Sequence, residues 1–388
     1  MKLSINQRNG ILHYAYNLKG WHTNRKIVVI ESDDWGSIRM PSKEIYKNCI
    51  KAGYRVDLNP YERFDSLLSS FDLDLLFDLL IGFKDSKGNH PIITANCAVA
   101  NPDFVKIKKA NYENYYFELI TDTFKRYPFH EKNFEKWQFA QKEKIFFPQY
   151  HAREHLNVSL FMEALRSGNR DAHFGFKNGM PGSITLDSEY YGNRFIEAMH
   201  FISNQDKLEK LQIYLDGLDI FHKLFGYSSN SITPPNYYWC PDFDIPVHEK
   251  GVQYFQGIRI IREPLNDKKY KSKKLYLGKR NKIGQLYLVR NSVFEPSIFT
   301  LKIKNPVDRC LSDINFSFKC KKPAIISSHR INYVGYIDES NRDQNLKYLN
   351  ELIKSMLKIW PDIEFMSSLD LGKVISGNTE TNKSSIID

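Results

Sequence analysis

Residues 27–37 read IVVIESDDWGS. Four consecutive β-branched residues, Ile27 to Ile30, have the length and composition of a strand buried on both faces. The run ends in Glu31, Ser32, Asp33 and Asp34, where a simple turn would use Gly or Asn. One Asp at such a place commonly caps a turn. Two side by side, each needing solvation or a partner, point to a bound cation or a catalytic pair.

Apolar runs of the same kind recur at 91–95, 144–148, 231–234, 257–261, 285–289, 323–327 and 363–366. Helical periodicities lie between them, over 67–83, 113–126, 158–166, 208–225 and 342–360, with Asn157 as an N-cap and Gly168 and Gly226 as stops. This alternation predicts an α/β fold with parallel strands and helices packed outside. Seven or eight such units predict a closed or nearly closed (β/α) barrel, a distorted relative of the TIM barrel. No GxGxxG follows the first run, which argues against a dinucleotide-binding sheet. The stretch 268–290 breaks the pattern and reads as a β-hairpin insertion turning at Lys279–Gly284. Residues 1–376 thus read as one barrel domain with insertions near 50–142 and 265–290. The polar tail 377–388 reads as disordered.

Hydrophobic residues make up 42% of the 388, enough for a large packed core. Net charge is +10, much of it concentrated in Lys268, Lys269, Lys271, Lys273, Lys274, Lys279, Arg280 and Lys282. Such a run reads as a solvated hairpin, with peripheral contact of 268–282 to an anionic surface as the alternative. No nucleic-acid-binding motif accompanies it, so no nucleic-acid partner is expected. Five cysteines, with no CxxC pair, argue against a disulfide framework and a zinc ribbon. No signal peptide is seen and no segment approaches 18 consecutive apolar residues, so a cytoplasmic location without a transmembrane helix is expected.

Barrel chemistry sits at the C-terminal ends of strands. Asp33 and Asp34 are there. A second cluster, 150-YHAREHLNV-158, follows the run at 144–148. His151 and His155, four apart, share one side of a helical turn and suit a divalent transition metal, most often zinc. Ala152 stands where a metalloprotease has its glutamate, so HExxH chemistry is disfavoured. Joined by Asp34, the set becomes two histidines and one carboxylate, leaving coordination positions open. His329, in 327-SSHRINYVG-335, occupies another strand end. In 233-TPPNYYW-239, Pro234 and Pro235 fix a turn, after which Asn236, Tyr237, Tyr238 and Trp239 offer polar groups and rings. Such rings stack on sugars or fill a core. With Trp35 and Arg330 they complete the candidate substrate contacts.

In this order the four motifs resemble those of the polysaccharide deacetylase family, metal-dependent carbohydrate esterases, across roughly residues 26–370. The family's first motif is similar to TFDD, its first Asp the base and its second a metal ligand. The chain has Glu31-Ser32-Asp33-Asp34. The second family motif, H-[ST]-x-x-H, supplies two metal histidines and matches His151-Ala-Arg-Glu-His155 without the hydroxyl residue. The third, Arg-x-Pro followed by an aromatic, is similar to Pro235 with Tyr237 or Tyr238, but no Arg precedes it. A late histidine matches His329. The resemblance implies a hydrolase that removes N- or O-linked acetyl groups from a polysaccharide, oligosaccharide or glycoconjugate. It implies a divalent ion, zinc first, on Asp34, His151 and His155, with Asp33 as base and His329 as acid. An oxyanion would be met by the metal and a backbone N–H near Tyr237. The missing arginine holds the base carboxylate in the family, and Arg330 or Arg39 is the expected substitute. Two alternatives stay open: a noncatalytic glycan-binding relative, and a glycosidase using paired carboxylates.

Overall fold

The computed structural model describes residues 19–181, 195–266, 269–299 and 305–377. Nine strands form the main sheet: β1 Lys26–Trp35, β2 Ile93–Ala98, β3 Phe146–Ala152, β4 Ser231–Ile232, β5 Tyr254–Gly257, β6 Leu286–Val289, β7 Ser292–Val293, β8 Ala324–His329 and β9 Ile363–Phe365. Every pairing in it is parallel, in the order β6-β5-β4-β3-β2-β1-β8-β7. The two outermost strands, β6 and β7, are separated in sequence only by Arg290 and Asn291. The Arg290 N–H donates to Gly257 O on one side and the Asn291 N–H to Ile325 O on the other. One kinked segment, 286–293, therefore closes the sheet into the expected distorted (β/α) barrel. Val28 pairs with both Ala324 and Phe365, so β9 lies on the β2 side of β1, below the start of β2.

The alternation of β1 builds two cores. Ile27 and Val29 pack with Tyr254, Leu286, Leu288 and Ile325. Val28 and Ile30 face the other way, among Leu73, Leu76, Phe146 and Ile353 beneath the helices. This is why the run is apolar at consecutive positions: both faces are covered. The helices bring their own stop and start signals. Ser69 and Asp72 form a capping box for the helix Ser70–Ile81, Asn157 caps Val158–Arg166, and Gly226 ends Asn204–Phe225 with φ 78°. The helix Glu339–Ile359 stops before Pro361.

Three expectations need correction. The helix foreseen over 113–126 begins only at Ile120. Phe117–Leu119 is extended and pairs antiparallel with Ala100–Pro102, as suits the aromatic run before it. The strand foreseen at 257–261 is split: β5 ends at Gly257, and Ile260 starts a separate hairpin, Ile260–Asn266 with Lys269–Lys274. The insertion consequently ends earlier than foreseen, and Leu286–Val289 is a buried barrel strand. The basic run of this hairpin is exposed except Lys273; Lys268 lies outside the described residues. So does the tail foreseen as disordered, beyond Gly377. Among the described residues no helix is long and apolar enough to cross a membrane, and all five cysteines are buried and free.

Gly36 ends β1 with φ 83°, and a Cβ there would lie 2.4 Å from Ala98 O. Both the left-handed backbone and the close approach require glycine. Gly36→Ala should cost at least ~2 kcal/mol, from left-handed strain plus a backbone shift. Denaturant unfolding of the two proteins measures it.

Candidate active site at the barrel mouth

A cavity of about 350 Å³ opens at the C-terminal ends of the strands, lined by Asp33, Asp34, Arg39, Tyr61, His151, His155, Thr233, Asn236, Tyr237 and His329 among others. Strict alternation would place Asp33 and Asp34 on opposite faces of β1. Two features of the backbone prevent this. The β1–β2 register shifts between Ser32 and Trp35, and Asp34 adopts φ 73°. Asp is among the residues that tolerate this conformation, at a cost of about 1 kcal/mol or more. The bulge brings both carboxylates to one cavity and turns Trp35 away from it, into the core beneath the helices. β3 also carries a bulge: Cys97 pairs with Tyr150 and Ala98 with Ala152, so His151 is the extra residue. Bulges re-aim side chains in this way beside functional sites.

Asp34 Oδ1 lies 3.5 Å from His151 Nε2 and 3.4 Å from His155 Nε2. The three groups offer ligand atoms within 4.8 Å of one another. His155 is not on a helical turn with His151, as its spacing suggested. It sits in the bend before the helix Val158–Arg166, and the imidazole centroids are 4.9 Å apart. His151 Nδ1 lies 2.6 Å from Thr233 O, an acceptor only, so this nitrogen carries the hydrogen. In the neutral ring Nε2 then presents a lone pair toward a carboxylate oxygen. Two acceptors facing each other repel unless a proton or cation lies between them. Burial pushes His155 down to about 3, so it is neutral at pH 7 with a lone pair to offer. Burial opposes ionisation of Asp34, but His155, His151 and Arg39 outweigh it and hold the carboxyl well below its usual range. The donor set fits a divalent transition metal.

Asp33 is held differently. Arg290 Nη1 donates to Oδ2 and Nη2 to Oδ1, both at 2.7 Å, while Arg290 Nε donates to Glu31 Oε2 at 2.6 Å. Asn96 Nδ2 also donates to Asp33 Oδ1 at 2.7 Å. Burial would raise Asp33, but the Arg290 guanidinium brings it down to about 2. Glu31, completely buried, is pushed upward by that burial despite the same arginine. His329 Nε2 lies 3.8 Å from Asp33 Oδ2, and its Nδ1 lies 2.6 Å from Glu295 Oε1. Burial would lower His329, but the Glu295 carboxylate raises it to about 9, so the ring carries its proton at pH 7.

The structure brings together Asp33, Asp34, His151, His155, His329, Asn236 and Tyr237, and leaves four expected residues out. Trp35 is 1% exposed, its Nε1 donating to Ser32 Oγ and its ring packed on Phe146, because the bulge at 33–34 points it into the core. Asn236 and Tyr237 are both left-handed (φ 49° and 60°), which turns the chain so that Tyr238 and Trp239 run inward. Trp239 Nε1 donates to Asp244, and both rings are buried. Arg330 is fully buried against Asp65, so it is neither a substrate contact nor the missing arginine. Arg39 pairs with Asp34 and Asp65 rather than Asp33. Arg290 occupies the role expected of them, and Glu295 also went unforeseen. Both follow the run 285–289; the strand-end rule singles them out once that run is read as barrel rather than insertion. The backbone N–H expected near Tyr237 is engaged: Tyr237 donates to Pro234 O and Tyr238 to Pro235 O.

No protein-family model and no curated protein sequence matches the chain. Several solved structures align with it at low identity. A "probable Polysaccharide deacetylase" from Pseudomonas aeruginosa PAO1 is 9% identical with TM-score 0.45, covering 90% of this chain and 91% of that one. PuuE allantoinase is 10% identical with TM-score 0.42, covering 91% of each. A 4-alpha-glucanotransferase from Thermococcus litoralis is 9% identical with TM-score 0.42; 92% of this chain matches but only 41% of that one. At TM-scores below 0.5 these likenesses say nothing of activity.

The wild-type protein should hold about one divalent ion per chain, and His151→Ala and His155→Ala should lose it. Arg290→Lys should keep it, because its partners are Asp33 and Glu31. Metal analysis of the four proteins decides this. Wild type that arrives without metal and takes up none on incubation refutes the ligand set. What the site's geometry assembles is a set of three groups that could hold a cation, between an arginine-held carboxylate and a glutamate-held imidazolium.

Proposed function

We propose that the chain is a metal-dependent hydrolase removing N- or O-linked acetyl groups from a polysaccharide, oligosaccharide or glycoconjugate. One observation carries this reading: Asp34, His151 and His155 converge beside Asp33 and His329 on a single cavity. A divalent cation, zinc for a set of two imidazoles and one carboxylate, would supply Lewis acidity and an activated water there. Asp33, fixed by Arg290 and Asn96, is placed to orient an attacking water and would accept its proton. His329 gives its proton to the departing nitrogen or oxygen, and Glu295 keeps the ring charged until then. The products are acetate and a free amine or hydroxyl. Asn236 and Tyr237 line the cavity where a sugar would rest.

The resemblance of the four sequence motifs to polysaccharide deacetylases supports the choice of acetyl and glycan. The competing reading, a glycosidase, needs a carboxylic acid that still has its proton. Among the described residues, the carboxylates that line the cavity are Asp33 and Asp34, and both are held below their usual range. Glu31 is raised but completely buried and does not line the cavity. Turnover separates this reading from a noncatalytic glycan-binding relative.

The test is acetate release from a panel of acetylated glycans, alongside scission of glycosidic bonds. Asp33→Asn should retain metal and lose activity by about 10²–10⁴-fold, the usual cost of removing a general base. His329→Ala should slow N-acetyl hydrolysis far more than hydrolysis of an aryl acetate, since an aryl oxide leaves without a proton. Equal losses on both substrates would take His329 out of the acid role. Bond scission without acetate release would favour the glycosidase.

A further inference from the structure

The cavity has a wall that the barrel does not supply. Between β1 and β2 the chain inserts the short segments Val56–Leu58 and Pro60–Phe64. Asn59 and Tyr61 from this insertion line the cavity. Asn59 caps the second segment through the Tyr61 N–H, at 3.0 Å, which fixes the Tyr61 backbone. The Tyr61 ring meets the His329 ring edge-on with centroids 5.6 Å apart. Arg39 lies over the ring, 5.1 Å from its centroid. Arg39 is itself tied to Asp34 and Asp65. Tyr61 thus stands between the residue read as acid and the residues read as cation ligands, held by an imidazole and a guanidinium.

Its hydroxyl is the unused part. Among the described residues no hydrogen-bond partner reaches it. Tyr61 is half-buried rather than sealed in the core, and it lines the cavity that Asp34, His329 and Tyr237 also line. The reaction in turn calls for a donor. Acyl transfer builds negative charge on the carbonyl oxygen, and a positioned donor there is worth orders of magnitude. The backbone groups expected to supply it, the N–H of Tyr237 and that of Tyr238, are spent on Pro234 O and Pro235 O. Arg290 is fully engaged by Glu31 and Asp33. Asn96 is engaged by Asp33 and Gln256.

We infer that Tyr61, delivered by the insertion between the first two strands, is a catalytic residue whose hydroxyl donates a hydrogen bond to the carbonyl oxygen of the acetyl group under attack. This rests on the hydrolase reading above. Burial raises the phenol well above its ordinary range, so it stays a neutral donor throughout the working pH range. The ring has a second, structural task between His329 and Arg39, and the test must separate the two.

Tyr61→Phe keeps the ring and removes only the donor; Tyr61→Ala removes both. Metal content, thermal unfolding, and kcat and KM for an N-acetylated glycan oligomer are measured for wild type and both variants. Tyr61→Phe should retain metal, melting temperature and KM, and lose about 10²–10³-fold in kcat, the loss seen when one oxyanion donor is removed. Tyr61→Ala should lose at least as much. A Tyr61→Phe protein with the wild-type kcat, whatever the alanine variant does, reduces Tyr61 to packing and overturns the inference. A Tyr61→Phe protein that changes only KM does so too, since the bond would then be equally strong in the ground state. Wild-type protein that releases acetate from nothing in the panel overturns the hydrolase reading and this inference together. An active wild type with an unaffected Tyr61→Phe overturns this inference alone.

Discussion

The guanidinium of Arg290 is the point on which barrel and site both depend. It lies where the two edges of the sheet meet, in the two-residue kink between β6 and β7. Glu31 and Asp33 both project toward it from β1, and both are buried. Two adjacent buried carboxylates would be prohibitive without a partner. One arginine serves both, with a single bond to Glu31 and a forked pair to Asp33. The fork matches carboxylate geometry in a way a lysine cannot. Ser368 supplies the remaining donor to Glu31, and Asn96 one to Asp33. The barrel is drawn shut at the very place where its first strand carries the reactive carboxylate.

Around this centre the barrel spends strain to aim side chains. Asp34 is left-handed at a bulge, and His151 is the unpaired residue of another. Strand alternation alone would have sent Asp34 into the helical layer, as it does Tyr150. The cost is modest beside what the surrounding packing supplies. Trp35, Phe146, Trp137 and Tyr333 lock together directly behind the β1 bulge. A second anchored pair, Arg39 and Arg330 on Asp65, backs the Asp34 side from the insertion.

The barrel was legible because it rests on local signals. Runs such as Ile27–Ile30 are apolar on both faces, and caps such as Ser69 and Gly226 state where helices start and stop. The convergence of Asp34, His151 and His155 was legible because their chemistry shows in residue type: paired aspartates at a strand end, and two histidines four apart. What escaped was whatever depends on parity and on distance along the chain. Trp35 and Trp239 looked like sugar platforms by composition, yet a bulge and a left-handed turn send them inward. Arg290 and Glu295 lie more than 250 residues from Asp33 and beside no motif. Only barrel closure brings them there, and a lysine-rich neighbourhood disguised their strand as a surface hairpin. Tyr61 belongs to an insertion whose path over the cavity no periodicity announces.

The seam of the barrel is thin. β7 is two residues long, and so is β4 on the other flank of β5. Short strands with few ladder bonds are where a fold opens first. At this seam any opening that lets 286–293 slip withdraws Arg290 from Asp33 and displaces Glu295 from His329 in the same movement. Breathing of the scaffold and loss of the reactive arrangement are thus one event rather than two. By linkage, whatever ligand favours the assembled arrangement also favours the closed seam, and part of its binding free energy is spent as resistance of the whole barrel to opening.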